Sequence, residues 1–161
     1  MSTQQERTVD LLISHSQILI RARAYDENLS QWGPGNGEQG AVLHPDYLIF
    51  DPLPDEAFGA FVYLRRADSF SPDPNAARSI VAPIVVAAPS AVEVASAAEE
   101  FAVDLGLQAG NHSVFFEVCE GDEEIYYRFT LVPTATPEAP RFLLDDEWDG
   151  TAGAPLQFGI F

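Results

Sequence analysis

The fold turns on one stretch: Val114-Phe115-Phe116-Glu117-Val118-Cys119, then Glu120-Gly121-Asp122-Glu123, then Glu124-Ile125-Tyr126-Tyr127-Arg128-Phe129-Thr130-Leu131. Val114, Phe116 and Val118 alternate with Phe115, Glu117 and Cys119; Tyr127, Phe129 and Leu131 alternate with Tyr126, Arg128 and Thr130. A period of two is the mark of a strand with unlike faces. Between the runs, Glu120-Gly121-Asp122-Glu123 reads as a tight turn, so the whole is an antiparallel hairpin with an exposed tip.

The same alternation recurs ahead of the hairpin. Ile18, Ile20, Ala22 and Ala24 oppose Arg21, Arg23 and Tyr25; Ala60, Val62 and Leu64 oppose Phe61, Tyr63 and Arg65; Phe101, Val103 and Leu105 oppose Glu100 and Asp104. Residues 47–51 are a short apolar strand, and residues 141–144 suit a last one. Gly33-Pro34-Gly35-Asn36-Gly37 and residues 71–75 read as loops, and residues 133–140, with three prolines, as an extended connector. Twelve prolines and eleven glycines in 161 residues suit many short strands better than a helix bundle. The expectation is an all-β, single-domain antiparallel β-sandwich of about 7–9 short strands over residues 1–161. Residues 133–161 form its Pro-rich connector and acidic C-terminal extension.

One segment dissents. Ser90 with Glu93 resembles a capping box, Gly106 is a stop signal, and Ala91, Ala95, Ala98, Ala102 and Leu105 recur at helical spacing. Local propensity favours a helix over residues 91–105, with a short helix near 91–100 as its minimal form. The competing reading is two strands, around 92–95 and 100–105, joined by a short turn.

Acidic residues outnumber basic ones 25 to 8, for a net charge of −17, and all eight basic residues are arginines. Such a chain is a poor ligand for nucleic-acid phosphates or an anionic membrane. Spread over the roughly 7,900 Å² that a monomer of this mass exposes, the excess is one charge per roughly 460 Å². A standard half-interface of about 800 Å² would carry about two by chance.

The acids are instead clustered. Glu117, Glu120, Asp122, Glu123 and Glu124 fall at the hairpin tip, and Asp145, Asp146, Glu147 and Asp149 surround Trp148. Smaller groups are Asp51, Asp55 and Glu56, and Glu99, Glu100 and Asp104. Concentrated carboxylates beside an aromatic residue suit a basic protein partner. Glu120, Asp122, Glu123, Glu124, Asp145, Asp146, Glu147, Trp148 and Asp149 are therefore the expected contact residues. Trp148 is the first candidate anchor and Trp32 the second.

Catalytic signatures are missing. His15, His44 and His112 have no second histidine or cysteine at ligand spacing, so a zinc site is not expected. His44-Pro45-Asp46 is the one base-and-carboxylate pair, and it argues weakly for a general base. Ser14-His15-Ser16 reads as strand, not as a nucleophile elbow. Cys119 stands among carboxylates that dull a thiol. Consecutive acids do not match the spaced ligands of an EF-hand, although a calcium-dependent ligand-binding sandwich is the alternative reading. The glycine-rich loop lacks the lysine of a phosphate cradle. No enzyme activity, metal or cofactor is expected. The N-terminal ten residues do not read as a secretory signal and the apolar run at 80–88, broken by Pro83, is too short to span a bilayer, so a cytoplasmic location is expected.

In order, residues 11–20 (Leu-Leu-Ile-Ser-His-Ser-Gln-Ile-Leu-Ile), 38–41 (Glu-Gln-Gly-Ala), 59–64 (Gly-Ala-Phe-Val-Tyr-Leu), 80–86 (Ile-Val-Ala-Pro-Ile-Val-Val), 101–105 (Phe-Ala-Val-Asp-Leu), 110–117 (Gly-Asn-His-Ser-Val-Phe-Phe-Glu) and 126–128 (Tyr-Tyr-Arg) make up a pattern. This pattern resembles the competence protein J family, inhibitors of a bacterial competence nuclease. The resemblance spans roughly residues 11–132 and leaves residues 145–161 unaccounted for. It implies a small acidic β protein that binds and blocks a secreted or membrane-associated nuclease, and it favours strands after Ser90; with the charge, it makes an inhibitor of a basic nuclease, or a toxin-immunity protein, the leading expectation.

Overall fold

The computed structural model describes residues 5–13, 17–52, 60–87, 92–122 and 124–161. Eleven strands lie among them: β1 (Gln5–Leu11), β2 (Ile18–Arg21), β3 (Ala41–His44), β4 (Tyr47–Phe50), β5 (Ala60–Arg66), β6 (Ala76–Val86), β7 (Val92–Ala95), β8 (Glu100–Val103), β9 (Gly110–Glu120), β10 (Ile125–Pro133) and β11 (Arg141–Phe142). They form a six-stranded sheet, order β1-β5-β10-β9-β6-β11, and a five-stranded sheet, order β3-β4-β2-β7-β8. All pairings are antiparallel except β5 with β10, which run parallel. The expected all-β sandwich is what forms, with more strands than the 7–9 expected.

The alternating residues of the hairpin explain how the sheets pack. Val114, Phe116, Val118, Tyr127, Phe129 and Leu131 enter one core with Ile18, Ile20, Leu48 and Phe50 of the other sheet. The Phe50 and Phe116 rings stack at 4.4 Å between sheets. Aromatic pairs of this kind add about 0.5–1.5 kcal/mol beyond the area they bury. β9 is covered on its other face too, because Phe70 stacks on Phe115 at 4.1 Å. Hence residues 112–119 are all buried, and Glu117 lies inside although the alternation faces it outward.

The segment after Ser90 is strand, not helix. β7 pairs with both β2 and β8, and Val92, Val94 and Val103 enter the core. The turn between β7 and β8 closes through the Ser96 hydroxyl, which accepts the amides of Ala98 and Glu99 at 3.1 and 3.2 Å. Helical spacing of alanines lost to a pairing available only in the assembled sheet.

Two other stretches differ from expectation. Residues 5–11, read as a polar N-terminus, form the edge strand β1. The glycine-rich loop contains a short helix, α1 (Pro34–Gln39), ended by Gly40 at φ 80°. Its glycines admit residues 159–161: Gly35 N–H donates to Phe161 O at 3.0 Å, and a Cβ on Gly33 would fall 2.0 Å from that oxygen. Pro83 is tolerated inside β6 because its missing N–H lies on the side away from β9, where Val85 N–H bonds to Pro45 O at 2.8 Å. No helix among the described residues is long and apolar enough to cross a membrane.

Candidate protein-binding surface

A bulge in β6 builds the surface. The β6–β9 register slips between Ala76 and Arg78, and Arg78 is the largest fully buried side chain among the described residues. Its Nε and Nη2 donate to Asp146 Oδ2 and Oδ1 at 2.8 and 3.2 Å, and Nη2 also reaches Trp148 O at 3.0 Å. The guanidinium lies 5.1 Å from the Phe142 ring centroid and 5.9 Å from that of Trp148. Asp146 Oδ1 accepts two further bonds, from the amides of Trp148 and Gly150, each 2.9 Å. Glycine is required at 150, since a Cβ there would stand 2.1 Å from Asp146 Oδ2.

Burial by itself would push the Asp146 carboxyl up. The Arg78 bond and the two amides outweigh it and hold the group below its ordinary value. Asp146 thus stays ionised with no exposed side-chain surface.

This one ion pair brings the two acidic segments together. β11 pairs with β6, and Leu143 N–H bonds to Ser79 O at 2.8 Å, so the chain after β11 runs beside the end of hairpin β9–β10. A shallow groove of about 530 Å³ results, floored by Ala76 and Ala77 and walled by Glu120, Asp145, Glu147 and Trp148. Asp145, Glu147 and Asp149 are exposed, and Trp148 is half-buried. At the hairpin end Glu120, Asp122 and Glu124 are exposed, with Gly121 N–H closing the turn on Glu124 O at 2.8 Å. Glu123 lies outside the described residues.

Asp146 therefore differs from its neighbours, for its carboxylate is consumed inside. Glu117 is likewise spent: its carboxylate is wholly buried, accepting Asp73 N–H at 2.9 Å and Arg128 Nε at 2.6 Å. Here desolvation prevails, and the Glu117 carboxyl is pushed above its ordinary value.

The other candidates are structural. Trp32 is half-buried against Leu19, Val42, Tyr47, Ile49 and Ala95, on the outer face of the five-stranded sheet. His44 Nε2 bonds to Leu29 O at 3.0 Å while Asp46 faces Arg23 at 3.8 Å, so the two do not form a catalytic pair. Ser14, His15, Asp55 and Glu56 lie outside the described residues. Glu99 accepts Leu12 N–H and Glu100 pairs with Arg21, so that small cluster ties chain segments together. Burial, then the nearby Asp73 and Glu117, push the Cys119 thiol up to about 12, where it is inert. Among the described residues no group of three or more His, Cys, Asp or Glu could hold a metal ion.

Arg78 is the residue that sequence reasoning missed. Its only signal was a lone charge two positions before the apolar run of β6, between the small residues Ala77 and Ser79.

Known proteins resemble this architecture. A family model described as competence protein J (ComJ) matches residues 10–132. The crystal structure of ComJ from Bacillus subtilis, inhibitor of the DNA degrading activity of NucA, superposes with a TM-score of 0.67 at 15% identity, covering 81% of this chain and 98% of that one. The structure titled Crocagin biosynthetic gene J superposes with a TM-score of 0.53 at 14% identity, covering 81% and 97%. No curated protein sequence matches the chain. At these identities the structural likenesses carry the fold, while the Arg78–Asp146 pair and the Trp148 loop depend on residues beyond the matched 10–132. With roughly three quarters of its length matched, the chain belongs to the competence protein J family.

Proposed function

We propose that this protein is a non-enzymatic inhibitor that binds and blocks a basic nuclease through the groove between hairpin β9–β10 and residues 144–149. The observation that carries the proposal is convergence: Glu120 of the hairpin and Asp145 and Glu147 of the later segment, far apart in sequence, line one groove with the Trp148 side chain in its wall. A nuclease needs a positive cleft to hold phosphates. Carboxylates fixed on a rigid hairpin and a pinned loop compete for that field and steer the encounter. Trp148 supplies apolar contact at the centre, where binding energy concentrates. Family membership and the inhibitory activity of ComJ from Bacillus subtilis support the same partner class.

The proposal places the protein in the cytoplasm, with residues 133–161 as an extension of the inhibitory domain. Mixing the purified protein with a basic DNase of the kind that ComJ from Bacillus subtilis inhibits should abolish DNA cleavage at an equimolar ratio. Undiminished cleavage at a several-fold excess of this protein overturns the proposal.

A further inference from the structure

Residues 155–161 join the two sheets along one side. Arg141 and Pro155 form an antiparallel bridge at the edge strand β11, Leu156 enters the core, and Leu43 and Gly159 form a second bridge at the edge strand β3. Beyond Leu156 the backbone is gripped at every second residue. Gln157 exchanges bonds with the Gln39 side chain, its N–H donating to Oε1 at 2.9 Å and its O accepting from Nε2 at 3.0 Å. Gly159 N–H donates to Leu43 O at 2.8 Å, and its O accepts Asn36 Nδ2 at 2.8 Å. Phe161 N–H donates to Asn36 Oδ1 at 2.9 Å, and its O accepts Gly35 N–H. The segment is thus added to the edge of β3 as a further strand would be, with two side-chain amides of α1 standing in for a neighbouring backbone.

The side chains of this segment are displayed instead. Phe158 is 55% exposed, Ile160 43% and Phe161 40%. No charged residue falls between Gly150 and Phe161, in a chain of net charge −17. Ordering a segment costs conformational entropy, which burial of its apolar side chains usually offsets. Here much of that apolar surface stays in water, yet the wholly buried Asn36 and the close approach at Gly33 and Gly35 serve the backbone of this segment. A fixed backbone that holds apolar side chains outward is the arrangement of a docking strip.

The place of the strip indicates what it meets. α1, which grips the strip, is ended by Gly40, and a Cβ there would stand 2.7 Å from Arg78 Nη1. The same guanidinium holds Asp146 and the Trp148 carbonyl at the acidic groove. Pro155, where the segment starts, bridges to β11, the strand from which the chain runs into residues 144–149. The Gln157 end of the strip therefore adjoins the groove through Arg78. Strip and acidic loop both lie beyond residues 10–132, the part matched by the family model.

We infer that residues 157–161 are the apolar half of the partner-binding surface, docking on an uncharged, apolar rim of the same basic protein whose cleft takes the acidic groove. This rests on the nuclease reading above. The carboxylates guide the encounter, and Phe158 and Ile160 hold the complex once it has formed. Long-range charge acts on the association rate, whereas buried apolar contact acts on the dissociation rate.

Association and dissociation of the full chain with the DNase of the inhibition assay, followed separately by biolayer interferometry, test it. Phe158→Ser with Ile160→Ser should fold and should dissociate about tenfold faster, by the same factor at low and high salt. Gly33→Ala gives an independent arm. Gly33 has φ −88° and ψ 173°, which alanine adopts without strain, but its Cβ would fall 2.0 Å from Phe161 O. The variant should release the strip, seen as faster hydrogen exchange at the Gly159 and Phe161 amides, and should dissociate faster although every apolar side chain is retained. An unaltered dissociation rate in the folded double variant overturns the inference and leaves the nuclease reading standing, as does an unaltered rate in Gly33→Ala with the strip released. A dimer of the free chain in sedimentation that the double variant dissolves assigns the strip to a second copy and overturns the inference too. A protein that does not bind the DNase at all overturns the nuclease reading and this inference with it.

Discussion

Glu117 and Asp146 make an instructive pair. Each sits in one of the two acidic segments, each is wholly buried at its side chain, and each is held by a single arginine. Yet the carboxyl of Glu117 is pushed up and that of Asp146 is pulled down. The difference lies in the donors. Asp146 receives a bidentate guanidinium and two backbone amides in a loop shaped around it. Glu117 receives one amide and one arginine from the middle of a sheet, where its desolvation is greater. A buried carboxylate is thus a fastener only when its donors outnumber what burial removes.

The most forceful way to break the comparison is Asp146→Ala, which leaves Arg78 buried and unpaired. Losing one partner of such a pair costs about 3–5 kcal/mol, a fall in thermal midpoint of roughly 10 °C by calorimetry. The variant should also lose nuclease inhibition, because residues 144–149 would no longer be pinned beside the hairpin. A melt unchanged within a degree would show that the pair is not what organises the groove.

Next comes charge reversal on the exposed side of the same loop. Asp145→Lys with Glu147→Lys should cost about 1 kcal/mol of stability, because Asp145 Oδ1 accepts Ala152 N–H at 2.9 Å. Association with the nuclease should slow by roughly tenfold at low salt, with the deficit shrinking as salt rises. Stopped-flow mixing at several ionic strengths reads this directly, and an unaltered rate would remove these residues from the interface.

Glu117→Gln is milder than Asp146→Ala. The amide keeps an acceptor for Asp73 N–H and relieves a charge that the site already disfavours, so the cost at neutral pH is about 1 kcal/mol by urea unfolding. A loss as large as that of Asp146→Ala would mean that the two carboxylates work alike.

The finest distinction is in pH. The folded pKa of Asp146 lies below 3.8, so its stabilisation is complete above that pH and is lost as pH falls through the folded value. The folded pKa of Glu117 lies above 4.5, so the native chain takes up that proton before the unfolded chain does. From that folded value down towards pH 4.5, acidification therefore strengthens the fold through Glu117. Subtracting the urea-derived stability of Glu117→Gln from that of the unsubstituted protein at each pH should reveal a gap that widens as pH drops towards 4.5. A gap that narrowed would reverse the assignment.

Much of the architecture was legible beforehand. Alternation in β2, β5, β9 and β10 and the apolar run of β4 are local, so each of these strands could be read from its own residues. Residues 91–105 were not legible, since alanine spacing expresses a local preference while the β2–β7–β8 pairing is nonlocal. β1 was hidden because an edge strand with Glu6, Arg7 and Asp10 reads as a polar terminus. The acidic segments were visible as clusters, but nothing in their order says which member turns inward.

By itself the sequence determined the β class, the hairpin, the excess of carboxylates and the two places where they gather. Composition and period-two patterning act over neighbouring residues, so no assembled fold is needed to read them. Tertiary structure alone decided that Asp146 and Glu117 are consumed as ion-pair partners, and that Arg78 is the pin. The physical reason is a matter of choice among partners: with 25 carboxylates for 8 arginines, any arginine could serve many, and the Arg78–Asp146 match spans 68 residues of chain. Only the β6 bulge and the return of the chain along β11 bring those two groups within hydrogen-bond reach, which leaves Asp145, Glu147 and Trp148 facing outward beside Glu120.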